Sequence, residues 1–315
     1  MTEIVASQIP YGCEEFGRLA RVMMHRPGQE LKLVNHQNHR QWLFDRVPDI
    51  DRFVEEHDRY RELLVSHGVQ VIELSDCVNE RHELIAGMPN LMYLHDTAVI
   101  SSKGAILSSM AWEARENEEV VVREALNNLG IPILIEFDDH QDAFEGCLLL
   151  SPETVLVAET ERHSRPAIDK FISKALKAFP EVIYVDIPKA RRYMHPDTIY
   201  NRVSRHLALA YLPAFQASYL FTNGGVEKID FAEYMRRKGV ELINVSDSEQ
   251  QRLACSFVPL EPGVIFHYDT ALDKETQALL ARKGVEIIFF HPEAITAGGG
   301  SLRCITLRLH REPLS

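Results

Sequence analysis

Apolar and polar positions alternate in a pattern that occurs five times along this 315-residue chain. In each copy, apolar residues at helical spacing lead to a Gly or Pro, and a short β-branched run then ends in a polar turn. Each copy therefore predicts an α-helix followed by a strand. The breaks fall at Gly68, Gly130, Pro180, Gly239 and Gly284, within residues 57–76, 115–139, 165–188, 231–247 and 273–292.

Further apolar runs between these copies, at 97–107, 148–158 and 258–268, predict additional strands. Each unit thus contains several strands and one helix. A doubly wound sheet fits these strand pairs poorly, and no Gly-x-Gly-x-x-Gly or Gly-x-x-x-x-Gly-Lys-Ser/Thr loop indicates nucleotide binding. We expect one α/β domain over residues 1–315, with ββαβ-type units in a closed pseudo-fivefold arrangement. The loops of such a ring converge on a central channel, whose mouth is the expected ligand site.

Composition narrows the class of partner. The chain is 45% hydrophobic and 25% charged, as in ordinary globular domains, and its net charge of −12 argues against nucleic acid and anionic membranes as partners. No apolar run reaches the roughly 18 residues of a membrane helix, and the first residues do not read as a signal peptide. The five cysteines include no Cys-x-x-Cys pair, which predicts reduced thiols in a cytoplasm. We expect neither a metal nor a cofactor.

The residues capable of chemistry lie at predicted junctions between strands and turns. They include acidic residues, histidines and a cysteine, a combination that suits nucleophilic attack on a cationic carbon. Carboxylates would hold the cation, a thiolate would attack it, and a histidine would transfer protons. The clusters are residues 88–96, 144–147, 161–164, 193–198 and 267–269, followed by Cys304.

Cys304 follows three consecutive glycines, Gly298 to Gly300, and precedes a strand-like Ile-Thr-Leu-Arg-Leu run. A glycine turn allows close approach of a ligand to the backbone. The adjacent cation of Arg303 is expected to favour the thiolate form of Cys304. The alternative is a small buried hydrophobic residue, which is the commoner role of a lone cysteine.

Taken in order, the motifs resemble those of the guanidine-modifying enzyme superfamily, and within it those of arginine deiminase. The resemblance extends from the Gly-Arg-Leu-Ala-Arg-Val-Met-Met-His-Arg-Pro-Gly segment at 17–28 to residue 312. Between them lie Met-Pro-Asn-Leu at 88–91 with an Asp six residues after the Asn, Glu-Gly at 145–146, Glu-Arg at 161–162, Met-His-x-Asp-Thr at 194–198, and the final Gly-Gly-Gly and Cys. The resemblance implies a five-bladed α/β propeller, in agreement with the five repeats.

The resemblance also implies a role for each matching residue. Cys304 would be the nucleophile and His195 the proton carrier. Asp96 and Asp197 would hold the guanidinium nitrogens, and Glu145 would orient the guanidinium or the histidine. The remaining residues would bind the substrate, with arginines on its α-carboxylate and the others lining the site: Arg115, Arg162, Asn90, Tyr93 and Gly300. A second His-x-Asp, at 267–269, matches a later family segment and not the catalytic histidine.

Several departures from the family pattern leave the substrate open. Cys147 and Leu148 replace the usual Gly-Asp, Ala297 replaces an Arg, and the stretch between residues 76 and 88 is short. The Gly-Gly-Gly-x-x-x-Cys spacing is closer to that of agmatine deiminases.

The leading interpretation is hydrolysis of arginine or a close guanidino acid to a ureido product and ammonia through a covalent thiouronium. An amidinotransferase, with an amine as the second nucleophile, would use the same residues. A catalytically silent guanidino-compound binding protein is the third interpretation. The sequence also leaves open a homo-oligomeric assembly and the roles of Cys147, His267 and Asp269.

Overall fold

The computed structural model describes residues 9–13, 16–110, 112–137 and 142–313. Within these ranges the chain forms six helices, α1 (Ile50–Ser66), α2 (Glu118–Asn128), α3 (Arg165–Ala175), α4 (Phe231–Arg237), α5 (Asp247–Gln251) and α6 (Lys274–Arg282). The strands in the same ranges are β1 (Arg18–Met24), β2 (Gln70–Glu73), β3 (Ala98–Ser101), β4 (Gly104–Leu107), β5 (Ile133–Ile135), β6 (Leu148–Leu149), β7 (Thr154–Glu159), β8 (Glu181–Asp186), β9 (Tyr200–Ser204), β10 (Leu207–Ala210), β11 (Ala217–Thr222), β12 (Gly225–Ile229), β13 (Glu241–Asn244), β14 (Val258–Glu261), β15 (Val264–Tyr268), β16 (Glu286–Phe290) and β17 (Leu307–Glu312).

The predicted succession of helix, break and strand is confirmed in all five copies. Four of the helices are followed by a glycine in the left-handed region, with φ of 79° at Gly68, 75° at Gly130, 76° at Gly239 and 75° at Gly284. Glycine adopts this conformation without the steric cost of a Cβ, and so ends each helix and redirects the chain into the strand. In the remaining copy, Pro180 directly precedes β8. The predicted end of the second copy, Asp139, lies outside the described residues.

The described strands form five sheets that share one pairing scheme. In each sheet one inner strand pairs antiparallel with one neighbour and parallel with the strand that follows the helix. These inner strands are β1, β4, β7, β10 and β15, and the sheet of β7 carries two further strands, β11 and β12, beyond β8. The sheet around β1 joins the two ends of the chain, because its antiparallel partner is β17. The molecule is therefore a mixed α/β fold of five related sheets.

Neighbouring sheets contact one another mainly through the outer strands of their antiparallel pairs. Strand β17 contacts β3, β3 contacts β6, β14 contacts β9, and β1 contacts β14. The Arg202 guanidinium on β9 also donates a hydrogen bond to the carbonyl of Leu150, directly after β6. Apolar side chains fill the space between sheets and helices, with Tyr60, Phe171 and Phe266 among the fully buried ones.

In four of the five units, the segment that precedes the first strand carries the predicted catalytic residues. Asp96 precedes β3, Glu145 precedes β6, His195 and Asp197 precede β9, and Cys304 precedes β17. Residues that are far apart in sequence therefore occupy equivalent positions in successive units. No described helix has the length and apolar character needed to cross a membrane.

Candidate active site

A pocket at the junction of these loops contains Cys304. Its lining includes most of the residues that the sequence predicted, namely Asn90, Tyr93, Asp96, Arg115, Arg162, His195 and Gly300. The other two, Glu145 and Asp197, line an adjoining small cavity together with Asp96 and His195. The fold thus brings the predicted site residues together.

His195 lies between two carboxylates. Its Nε2 is 2.9 Å from Glu145 Oε2, and its Nδ1 is 3.4 Å from Asp96 Oδ1. Burial disfavours the charged ring, but the negative charges of Asp96 and Glu145 prevail and raise the pKa of His195. Burial also opposes ionisation of Glu145, yet the hydrogen bond with His195 and the nearby Arg162 lower its pKa to about 2. An ionised Glu145 and the charge of Asp96 therefore favour the protonated form of His195.

Arg115 is engaged by two carboxylates. Its Nη1 lies 2.6 Å from Asp96 Oδ2, and its Nη2 lies 2.7 Å from Glu118 Oε2. The Nε atom also donates to Glu118, and Nη2 donates to the carbonyl of Tyr93. All three nitrogens of this buried guanidinium are therefore occupied inside the protein. Glu118 was not predicted from the sequence, where its only signal is its position three residues after Arg115, at the start of α2.

Asp197 forms a buried ion pair with Arg303. The Arg303 Nε donates to Asp197 Oδ2 at 2.9 Å, and Nε2 of His95 lies 3.6 Å from the same oxygen. The other carboxylate oxygen of Asp197 is buried and has no hydrogen-bond partner among the described residues. Burial and the charge of Arg303 lower the pKa of His95 well below its usual value, so this ring is neutral. Neither His95 nor Arg303 was predicted to contact a carboxylate of the site.

The Cys304 thiol is less acidic than the sequence suggested. Burial, followed by the charges of Asp96 and Asp197, raises its pKa from 9 to about 12. Arg303 interacts favourably with the thiolate, as expected, but it also binds Asp197, and the effects of burial and of the two carboxylates on the thiol pKa prevail. The Ser301 hydroxyl, 3.3 Å from Cys304 Sγ, opposes the rise. In the resting site, Cys304 is therefore a neutral thiol.

The glycine turn before Cys304 packs against an aromatic ring. A Cβ atom built on Gly298 or Gly300 would overlap the ring of Tyr93, and Gly299 has a φ of 75°. The turn therefore requires glycine both for close packing and for its left-handed backbone. Burial raises the pKa of the Tyr93 hydroxyl, so the ring is a neutral wall of the pocket.

Two arginines of the pocket differ from Arg115 in their surroundings. Arg162 stacks on Trp112, 4.9 Å from the ring centre. Its Nη1 lies 3.6 Å from Glu145 Oε2 and its Nε 3.5 Å from Glu161 Oε1, but neither buried nitrogen makes a hydrogen bond within the described chain. Arg191, which the sequence analysis missed, donates to the carbonyl of Leu43. Arg191 also lines an outer cavity of about 430 Å³ that shares Met194, Thr198, Leu253 and Gly299 with the pocket.

Residues that the sequence left unassigned lie elsewhere. His267 on β15 is buried, bonds the carbonyl of Ala254 and does not line the pocket. Asp269 pairs with His291. Cys147 is buried in an apolar cluster, where burial raises its pKa. In the described ranges, no three His, Cys, Asp or Glu side chains form a group that could hold a metal ion.

Solved structures share this fold. The N-terminal domain of ArgZ bound to its substrate, an arginine dihydrolase from the ornithine–ammonia cycle in Cyanobacteria, superposes with a TM-score of 0.69 at 17% identity. The match covers 94% of this chain and 99% of that domain. Unliganded AgrE gives a TM-score of 0.69 at 16% identity over 94% of this chain, which spans 40% of the longer AgrE chain.

Curated proteins give the same result by sequence. The arginine deiminase of Mycoplasma capricolum is 23% identical over 393 residues, covering 95% of this chain and 96% of that protein. That alignment is longer than the present chain, so the deiminase contains additional segments. The uncharacterized protein YkgA of Bacillus subtilis is 24% identical over 298 residues, with 94% of each chain covered.

The fold and the constellation of cysteine, histidine and carboxylates define a guanidine-modifying enzyme. The family model for arginine deiminase matches residues 78–311. The chain therefore belongs to the arginine deiminase family.

Proposed function

We propose that the protein hydrolyses the guanidino group of arginine or a close guanidino acid to a ureido group and ammonia, with Cys304 as the nucleophile. The observation that carries the proposal is the pocket in which Cys304 faces Asp96 and a His195 held between two carboxylates. This arrangement provides a nucleophile, a proton donor and counter-charges for a planar cation.

The charges of the pocket make thiolate formation depend on the substrate. In the resting site, Asp96 and Asp197 stabilise the neutral thiol of Cys304. A bound guanidinium cation offsets both negative charges, so the Cys304 thiol releases its proton to solvent and the thiolate forms in the complex. The enzyme thereby avoids a free, easily oxidised thiolate in the absence of substrate.

In the first half of the reaction, the sulfur of Cys304 forms a bond to the guanidinium carbon. The imidazolium of His195 donates a proton to a terminal nitrogen, the carbon–nitrogen bond breaks, and ammonia leaves. The product of this half-reaction is a thiouronium on Cys304 and a neutral His195, consistent with the raised pKa that begins the cycle with a charged ring.

In the second half, His195 accepts a proton from water, whose oxygen bonds to the thiouronium carbon. The carbon–sulfur bond then breaks, and the hydroxyl proton leaves with the sulfur. This restores the neutral thiol and the imidazolium and releases the ureido product. An amine in place of water would give the amidinotransferase reaction, which the test below separates from hydrolysis.

We assign the substrate α-carboxylate to Arg162 in preference to Arg115. All three nitrogens of Arg115 already bind protein acceptors. Arg162 lines the same pocket, and its Nε and Nη1 make no hydrogen bond among the described residues, although Glu161 and Glu145 lie 3.5 and 3.6 Å from them. These two donors can therefore bind a substrate carboxylate.

We also infer that the five sheets close into a pseudo-fivefold propeller around a central channel. The shared pairing scheme, the contacts between successive sheets and the joining of β1 with β17 support this architecture. The catalytic loops would then lie at one mouth of the channel.

The test is a mass-spectrometric screen of guanidino compounds with and without amine acceptors. We expect arginine or a related guanidino acid to yield the ureido product and ammonia in equal amounts, independent of the amine. The Cys304→Ala variant should abolish turnover, whereas Cys147→Ala, at the buried cysteine outside the pocket, should retain it. Product that forms only with an amine would indicate a transferase, and binding without product in the wild type would indicate a silent binding protein.

A further inference from the structure

A second cavity, on the far side of Arg303 from the Cys304 pocket, gathers four arginine side chains. It has a volume of about 50 Å³, and β3, β6, β9, β14 and β17 all contribute to its walls. The arginines are Arg202, Arg303, Arg308 and Arg311. The cavity and the Cys304 pocket have no lining residue in common.

The hydrogen bonds of these arginines leave several donors unused. Arg303 binds Asp197 and Asn201, and Arg311 donates to the carbonyls of Gly17 and Pro259. In contrast, the guanidinium of Arg308 makes no hydrogen bond or ion pair with any described residue, and its Nε is shielded from solvent.

Positive charge in the cavity is poorly compensated. Among the described residues, Asp197 is the only carboxylate that pairs with any of the four arginines, and it pairs with Arg303. Burial, together with the charges of Arg303 and Arg311, lowers the pKa of Arg308 well below its usual value. Burial likewise lowers the pKa of Arg311 to about 10, with Arg303 adding to the effect. Clustered cations with unused donors are costly to bury unless an anion joins them.

We propose that this cavity is a binding site for a small inorganic oxyanion of the phosphate type, held by Arg308 with Arg303, Arg311 and Arg202. The planar guanidinium group presents paired donors that match the oxygens of such an anion. The cavity of about 50 Å³ has room for one small oxyanion.

The site lies directly behind the catalytic turn. Arg303 faces the cavity, while the next residue, Cys304, lines the catalytic pocket. A bound oxyanion would share the Arg303 guanidinium with Asp197. The proposed oxyanion site is therefore separate from the catalytic pocket that Arg162 lines.

Isothermal titration calorimetry with inorganic phosphate tests the proposal without reference to activity. At constant ionic strength, we expect the wild type to bind one phosphate with a Kd below about 1 mM. The Arg308→Gln and Arg202→Gln variants should each bind at least tenfold more weakly. Two control variants should bind as the wild type does: Arg236→Gln, at an exposed surface arginine, and Arg162→Gln, in the catalytic pocket. Circular dichroism verifies that each variant is folded, and the two cavity variants give independent readings if one fails to fold.

Four results would overturn the proposal. The first is no binding heat with phosphate or sulfate, and the second is unchanged affinity in the folded cavity variants. The third is binding of acetate alone, which would indicate a carboxylate site. The fourth concerns Glu14 and Glu15, which lie outside the described residues: phosphate binding only after both are changed to glutamine would mean that protein carboxylates neutralise the arginines.

Discussion

Replacing Asp96 with asparagine should make Cys304 more reactive toward an alkylating reagent while it slows turnover. Asp96 is the larger of the two carboxylate influences that raise the pKa of the Cys304 thiol. The same carboxylate is proposed to hold the substrate cation and lies 3.4 Å from the ring of His195. The rate of Cys304 alkylation should therefore increase while the rate of substrate turnover decreases.

The magnitude follows from the contributions to the thiol pKa. The value rises from 9 to about 12, and burial is the largest cause, ahead of Asp96 and Asp197. Burial remains in the variant, so loss of one carboxylate should lower the pKa by roughly one pH unit. Because the thiolate is the reactive form, its population at pH 8 should increase about tenfold, equivalent to about 1.4 kcal/mol.

The assay is alkylation by iodoacetamide at pH 8, followed by peptide mass spectrometry of the Cys304 peptide. Asp45→Asn is the matched control, because Asp45 is a half-exposed carboxylate that pairs with Arg191 outside the catalytic carboxylates. Cys304 in the Asp45→Asn variant should be alkylated at the same rate as Cys304 in the wild type. If both Asp96→Asn and Asp197→Asn leave Cys304 alkylation unchanged or slower, the electrostatic account of the resting thiol is refuted.

Three further changes probe other parts of the site. Glu145→Gln removes an anion that helps to raise the pKa of His195. The basic limb of the pH–rate profile, where His195 loses its proton, should therefore move to lower pH, and kcat should fall about 10²–10⁴-fold. An unmoved basic limb would contradict this. Arg162→Ala should raise KM for arginine but spare its decarboxylated analogue, and equal losses on both would remove Arg162 from carboxylate binding. Gly300→Ala should lower the free energy of unfolding in urea by about 1–3 kcal/mol, because the new Cβ overlaps the ring of Tyr93, and a stability equal to the wild type would refute that packing.

Local sequence patterns were sufficient for the five successions of helix, break and strand, but they did not predict α5 or the β11–β12 pair. Amphipathic spacing predicts a helix from neighbouring residues alone, and glycines such as Gly68 and Gly239 end helices through their own left-handed conformation. The five similar units also made the site predictable. Residues such as Asp96 and Cys304 stand at the same place in their respective units, directly before a first strand.

Pairing among charged residues could not be predicted in the same way. Asp197 and Arg303 are 106 positions apart, and nothing local indicates that they bind each other. The acidity of Cys304 was misjudged because burial, the largest cause of its raised pKa, and the nearby carboxylates of Asp96 and Asp197 both arise from the fold. The pKa values of groups in a buried site depend on which side chains, distant in sequence, the folded chain brings into contact with them.

The most direct test of the account is capture of the covalent intermediate during turnover with arginine. Acid quenching followed by peptide mapping should find the thiouronium on the Cys304 peptide, increasing and then disappearing as the ureido product and ammonia accumulate together. Product formation with an unmodified Cys304 peptide at every time point, or in the Cys304→Ala variant, would contradict the account.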